Sequence, residues 1–281
     1  DAARLRDLFV ELEFRVLVEK YTQAAIAAGT VSEEPAPART DYRVVTSVES
    51  MRELVDTIRE RGCVSVDVEL SEADAMRANL VGISLAVNEG EAYYLPFGHR
   101  PPGELALGEA FQVLPNLPPL ENERVAPLRD LLEDPTVRKI GQDLKRDLVA
   151  LSNLGVEPAG LWFDTVVASY VLDPGRRAHT LEALALDILA HKTTALAEVI
   201  GRGQKQVSFG EVTLESACDY ACEDADFALR LYHRFQPELE QQQMEGLWSS
   251  LIRKRDQLNE RVEELTAERD QLTTDKRELT A

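Results

Sequence analysis

C-V-S-V-D-V-E, residues 63–69, alternates in the two-residue period of a β-strand. Side chains of a strand point to opposite faces in turn, so Asp67 and Glu69 point the same way. Two acids on one face of an otherwise apolar strand are costly unless something neutralises them. A divalent cation does so, and carboxylate oxygens suit magnesium or manganese. Taken alone, the pair reads more readily as an edge strand whose acids face water.

Working outward, Leu80 to Val87 is apolar and Glu91 to Phe97 is rich in aromatics, with Asn88-Glu89-Gly90 as the turn between them. Together with 63–69 these segments predict an antiparallel meander. Upstream, Tyr42 to Thr46 reads as a short strand, followed by a helix capped by Ser47 or Ser50 and reaching about Arg61. Downstream, residues 99–123 are rich in Pro and Gly and read as a loop. A helix is expected from about Val125 to Leu132, a strand from Arg138 to Gly141, a helix through Leu154, a short strand around Phe163, and helices over most of 165–240. The order predicts an α/β protein: a mixed sheet, three antiparallel strands then parallel strands, flanked by helices.

The ends read differently. Residues 4–28 predict a helix and 29–40 a linker of Pro and small polar residues. Leu251, Leu258, Leu265, Leu272 and Leu279 recur every seven residues without Gly or Pro, a heptad pattern. Placing these leucines at d puts Arg255, Val262, Arg269 and Lys276 at a positions, three of them charged. That is compatible both with a weak homodimer and with a solvated single helix. The expected organisation is therefore 1–40 helix and linker, 41–240 the main domain, and 241–281 a heptad-patterned helix.

The chain has 281 residues, enough for one well-packed domain of about 200 residues and flanking segments. No apolar run reaches the ~18 residues of a membrane-spanning helix, and the first residues lack a signal-peptide pattern. Three cysteines, Cys63, Cys218 and Cys222, fit a reducing cytoplasm and give no disulfide framework. Cys218 and Cys222, one helical turn apart, read as packing residues. A net charge of −19 argues against generic high-affinity DNA binding. It argues less against a nuclease whose own site is acidic.

Two further acidic stretches join the first. G-Q-D-L-K-R-D, residues 141–147, lies at a strand-to-helix junction, and Asp143 and Asp147 stand four apart, the spacing of one helix face. Y-A-C-E-D-A-D, residues 220–226, places Tyr220 one helical turn before Asp224. A tyrosine hydroxyl there is suited to orienting a water beside a metal-bound carboxylate. Each stretch alone is compatible with a capped or amphipathic helix. Four acids in the order D-x-E, D, Y-x-x-x-D suit hydrolysis with two metal ions, ~3.5–4 Å apart. Cations rather than Lys and Arg would then meet the substrate phosphate, which reconciles the site with the acidic composition. Asp164 reads as a helix cap, Trp162 and Trp248 as packing residues, and His99 and His233 as surface or loop residues. Arg176, Arg177 and His179 fit either the substrate path or a solvated loop.

From about Tyr42 to Leu239 the chain resembles the 3′-5′ proofreading exonuclease domain of bacterial family A DNA polymerases, tyrosine subtype of the DEDD superfamily. The resemblance extends to A-N-L-V-G-I-S-L-A (78–86), I-G-Q-D-L-K-R-D (140–147), F-D-T-V-V-A-S-Y-V-L-D-P-G-R-R (163–177), H-K-T (191–193) and G-R-G-Q-K-Q-V-S-F (201–209). Residues 5–19 also resemble the segment that precedes the exonuclease part in those polymerases. It implies an RNase H-like fold and removal of nucleoside 5′-monophosphates from a DNA 3′ end, single-stranded or frayed. It implies two divalent cations, Mg2+ or Mn2+, on Asp67, Glu69, Asp147 and Asp224, with Tyr220 orienting water. Substrate contacts fall on Gln142, Lys145 and Arg146, with Asp143 beside them. It further implies a bacterial, cytoplasmic, nucleoid-associated protein and a polymerase domain in a longer parent chain or as a partner. Three departures stand out. Val68 and Leu70 replace threonines, with an expected loss of contact to the terminal nucleotide. Asp143 replaces Asn, adding a charge that either repels phosphate or adds a metal contact. Leu196 replaces an aromatic that packs on the end bases. A catalytically weak module working through binding, and an RNA-trimming enzyme, are the competing readings.

Overall fold

The computed structural model describes residues 40–101, 114–203 and 206–242, with a few isolated positions beyond them. Apart from those positions, the N-terminal helix and linker and the heptad tail lie outside the described residues, as do 102–113 of the expected loop.

A six-stranded mixed sheet forms the centre. Its strands are β1 (Asp41–Val44), β2 (Cys63–Leu70), β3 (Leu80–Asn88), β4 (Glu91–Pro96), β5 (Arg138–Gly141) and β6 (Leu161–Asp164), in the order β1-β4-β3-β2-β5-β6. β2, β3 and β4 make the antiparallel meander; β5 joins β2, and β6 joins β5, in parallel. The edge strand β1 is parallel to β4. This is the expected mixed architecture.

Two apolar layers sandwich the sheet. One packs α1 (Val48–Arg61), α2 (Ala126–Glu133) and α3 (Leu144–Asn153) on the face carrying Val64, Val66 and Val68. The other packs α4 (Thr165–Leu172), α5 (Leu181–Leu189) and α7 (Leu214–Gln241), with the short α6 (Leu196–Val199) beside them. α1 starts where Ser47 Oγ accepts from the Ser50 amide at 3.0 Å and stops at Gly62, whose φ of 67° fits a left-handed cap. Of the two candidate caps, Ser47 is the one used.

The central strand β3 is buried on both faces, and Gly82 in it has a specific reason. A Cβ there would lie 2.1 Å from Tyr94 Oη. The missing side chain lets the Tyr94 ring lie across the sheet opposite Glu69, which pairs with Gly82 in register.

Three single-residue expectations change. His99 is buried, because Tyr94 and Val212 give its ring polar partners: Nε2 lies 2.8 Å from Tyr94 Oη and Nδ1 3.2 Å from the Val212 carbonyl. That carbonyl only accepts, so Nδ1 carries the proton and Tyr94 donates to Nε2. Burial holds the His99 pKa below its ordinary value, so the ring is neutral. Trp162 does not pack inside: it is exposed, with the Arg138 guanidinium 5.4 Å over its ring. His179 is not solvated: its Nδ1 lies 2.7 Å from Ser169 Oγ and its ring stacks on Tyr170. In the same loop Arg176 pairs with Asp187 at 3.1 Å. Cys218 and Cys222 are buried and 3.8 Å apart, and His233 is exposed and paired with Glu89, both as expected.

Candidate active site

The acids converge at the carboxyl ends of β2 and β5, on the α7 side of the sheet. Strand alternation sends Val66 and Val68 to the opposite core and leaves Asp67 and Glu69 facing α7. There they meet Asp224. Asp67, Glu69 and Asp224 each offer a carboxylate oxygen within 4.8 Å of the others. Tyr220 stands one turn earlier on α7, buried, with its hydroxyl under the influence of the Asp224 charge. Asp147, in the first turn of α3, stands outside that group of three. It is nevertheless buried, and the nearby Asp67 charge adds to burial in disfavouring its ionised form.

The same alternation corrects one expectation. Val68 is fully buried and Leu70 nearly so, both in the layer behind the sheet. Neither side chain belongs to the acidic face.

A second correction concerns Asp143. It does not share a helix face with Asp147, because it precedes α3 in the left-handed region at φ 56°. Asp and Asn tolerate that region better than other side chains, so Asp in place of Asn preserves the turn. Its carboxylate caps nothing; Asp164 accepts from the Leu144 amide at 2.9 Å instead. Asp164 also accepts from the amides of Val166 and Val167, so one acid holds the start of both α3 and α4.

Of the expected substrate contacts, Lys145 is exposed at the start of α3. Arg146 is half-buried and reaches the Val68 carbonyl at 3.4 Å. Gln142 has both ends of its amide engaged: Nε2 donates to the His179 carbonyl at 2.8 Å, and Oε1 accepts from Thr165 Oγ1. It ties the loop before α5 to the site. Leu196 is exposed at the start of α6.

Two residues that the sequence did not single out belong here. Glu223, next to Asp224, accepts from the Thr194 amide at 2.7 Å and contacts His191 Nε2 at 3.1 Å. The His191 ring stacks on Phe227. The segment leading to Leu196 is thereby anchored to the helix that carries Asp224 and Tyr220. The H-K-T motif was the available signal, but its partner lies 29 to 32 residues away.

Burial raises the pKa of every acid in the cluster. It moves Asp67 from its ordinary 3.8 to about 6, with Arg146 pulling the other way. Glu69, Asp147 and Asp224 are held well above the usual carboxylate range by burial first and by the charge of Asp67 second. One oxygen each of Asp67 and Asp147 is buried without a hydrogen-bond partner. Hard anionic oxygens, crowded and unpartnered, are a donor set that fits a divalent cation.

One comparison identifies this arrangement. A family model described as 3′-5′ exonuclease, of the DNA polymerase A type, matches residues 42–240. The chain belongs to that family. This 3′-5′ exonuclease is 35% identical over 237 residues to DNA polymerase I of Pseudomonas aeruginosa, a match covering 83% of the chain and 25% of that relative. It is 33% identical over 207 residues to DNA polymerase I of Rhizobium leguminosarum, covering 70% and 20%. The exonuclease chain thus spans about a quarter of the length of the curated relatives it matches. A solved structure of Escherichia coli RNase D, an exoribonuclease involved in structured RNA processing, shares the fold. Its TM-score is 0.52 at 17% identity, over 71% of this chain and 45% of that one. No helix among the described residues is long and apolar enough to cross a membrane.

The raised carboxyls set a pH dependence for the metal-free exonuclease. Across the interval between ordinary and raised pKa the folded state holds more protons than the unfolded chain, so stability falls as pH rises. For Asp67 the interval runs from 3.8 to about 6 and is worth about 3 kcal/mol; the other three acids extend it upward. Urea unfolding in a chelator at pH 5 and pH 8 should therefore give a higher midpoint at pH 5. Saturating Mn2+ should remove most of the difference. Equal midpoints in chelator would show that the acids do not ionise against burial.

Proposed function

We propose that this domain hydrolyses the last phosphodiester bond at a DNA 3′ end, releasing nucleoside 5′-monophosphates, with two divalent cations, Mg2+ or Mn2+. The observation that carries the reading is the convergence of Asp67, Glu69 and Asp224 within 4.8 Å, with an unpartnered Asp147 oxygen beside them. Asp67, Glu69, Asp147 and Asp224 would hold the cations. When bound, such a pair makes a water nucleophilic near neutral pH and stabilises the leaving 3′ oxygen. Tyr220 would place that water: burial and the Asp224 charge hold its pKa far above the ordinary value, so it stays a protonated donor. Lys145 and Arg146 would meet the phosphate of the strand, and Gln142 holds the loop before α5 in place. The exposed Leu196 supplies an apolar but non-aromatic surface for the end base, weaker than a stacking platform. The DNA polymerase I relatives, about four to five times the length of the match, support a proofreading role beside a polymerase domain in a bacterial cytoplasm.

A 5′-labelled single-stranded DNA incubated with the domain in Mg2+ or Mn2+ should shorten stepwise from its 3′ end and release 5′-monophosphates. A chelator should stop the reaction, and an RNA of the same sequence should shorten more slowly. Faster loss of the RNA would assign the domain to RNA trimming. An intact DNA in both metals would leave a binding module.

A further inference from the structure

The acids of this site carry a counter-ion of their own. Arg146 precedes Asp147 on α3, and its guanidinium turns back over β2. One terminal nitrogen lies 3.4 Å from the Val68 carbonyl and 4.0 Å from Asp147 Oδ1. Val68 separates Asp67 from Glu69, so the guanidinium sits against the backbone that links the two strand acids. Its charge acts on Asp67, Glu69 and Asp147 together, in each case against the effect of burial. Both contacts are long, and 38% of the side chain stays open to solvent, so the group is close without being locked. Arginine suits such a post, because it is always charged and its planar fork serves several acceptors.

A cation in this place opposes another cation. Like charges a few ångströms apart repel, more strongly near a protein surface than in water. We propose that Arg146 is a built-in competitor for the metal ions: it neutralises the carboxylates when no metal is bound, gives way toward the substrate phosphate when the ions load, and so sets the metal concentration at which the site fills. The inference rests on the four acids being the metal ligands. It adds that the arginine works against metal binding, whereas a residue that only touches substrate would leave metal binding unchanged.

Mn2+ titrated calorimetrically into the full chain, without nucleic acid, tests it. Arg146→Gln and Arg146→Met should each bind Mn2+ roughly tenfold more tightly than the unaltered chain. Arg146→Lys, which keeps the charge, should stay within a few-fold of it. On single-stranded DNA the two neutral variants should reach half-maximal activity at lower Mn2+ while their KM for DNA rises. Mn2+ affinity unchanged or weakened in both neutral variants, with cooperative melting retained, would overturn the proposal. Absence of Mn2+ uptake by the unaltered chain would overturn the assignment of the acids instead.

Discussion

Asp224→Ala should reduce removal of 3′-terminal nucleotides by at least about 10³-fold, the scale of losing a principal electrostatic element of a reaction centre. Asp224 is the α7 member of the group of three carboxylates, and Tyr220 stands one turn before it on the same helix. Its removal takes one of three converging carboxylates and the charge that acts on the Tyr220 hydroxyl. The accompanying stability change separates this loss from misfolding. In chelator near pH 8 the variant should melt higher than the unaltered domain, because burial and the Asp67 charge both disfavour an ionised Asp224. In Mn2+ the order should reverse. A ligand at a hundred times its Kd stabilises the folded state by about 2.7 kcal/mol, or roughly 5–10 °C for a domain of this size. The variant should forgo most of that gain. Full activity in the variant, or an equal Mn2+ shift, would remove Asp224 from the site.

The largest stability loss is expected two residues further along α7. Asp226 is fully buried, and four donor contacts converge on it. Tyr42 Oη donates at 2.8 Å, the Gly90 amide at 2.8 Å, and the Arg230 guanidinium twice, at 3.0 and 3.1 Å. The carboxylate thereby fastens α7 to the edge strand β1 and to the turn between β3 and β4. Asp226→Ala strands a largely buried guanidinium, and breaking a buried pair from one side costs about 3–5 kcal/mol. Thermal melting should fall by roughly 10 °C. Tyr42→Phe removes one bond to a charged acceptor, so its cost should stay within about 1.5–3 kcal/mol. Equal costs for the two variants would mean that Arg230 finds another partner.

The alternation of residues 63–69 and the spacing of Tyr220 and Asp224 needed no tertiary information, because strand and helix periods fix which side chains share a face. The meander, the strand Arg138–Gly141 and the capping role of Asp164 were legible for the same reason: each depends on neighbours within a few residues. Family motifs added the assignment of Asp147, which no local period connects to the other acids. Legibility stopped where a contact spans a long stretch of chain. His99 reads as a loop residue until Val212, 113 positions later, supplies its acceptor. Glu223 is not singled out by the sequence, because its partners Thr194 and His191 lie 29 and 32 residues away. Val68 and Leu70 read as altered substrate contacts when the motif is compared letter by letter, yet their side chains belong to the layer behind the sheet.

By itself, then, the sequence determined the element order, the mixed sheet and the identities of the acids, since backbone periodicity and residue chemistry are local properties. Only the tertiary structure decided which acids meet closely, that Gln142 is engaged within the protein, and that Arg146 faces the cluster. Those outcomes depend on how α3, α7 and β2 approach one another, and packing between elements far apart in the chain sets that approach.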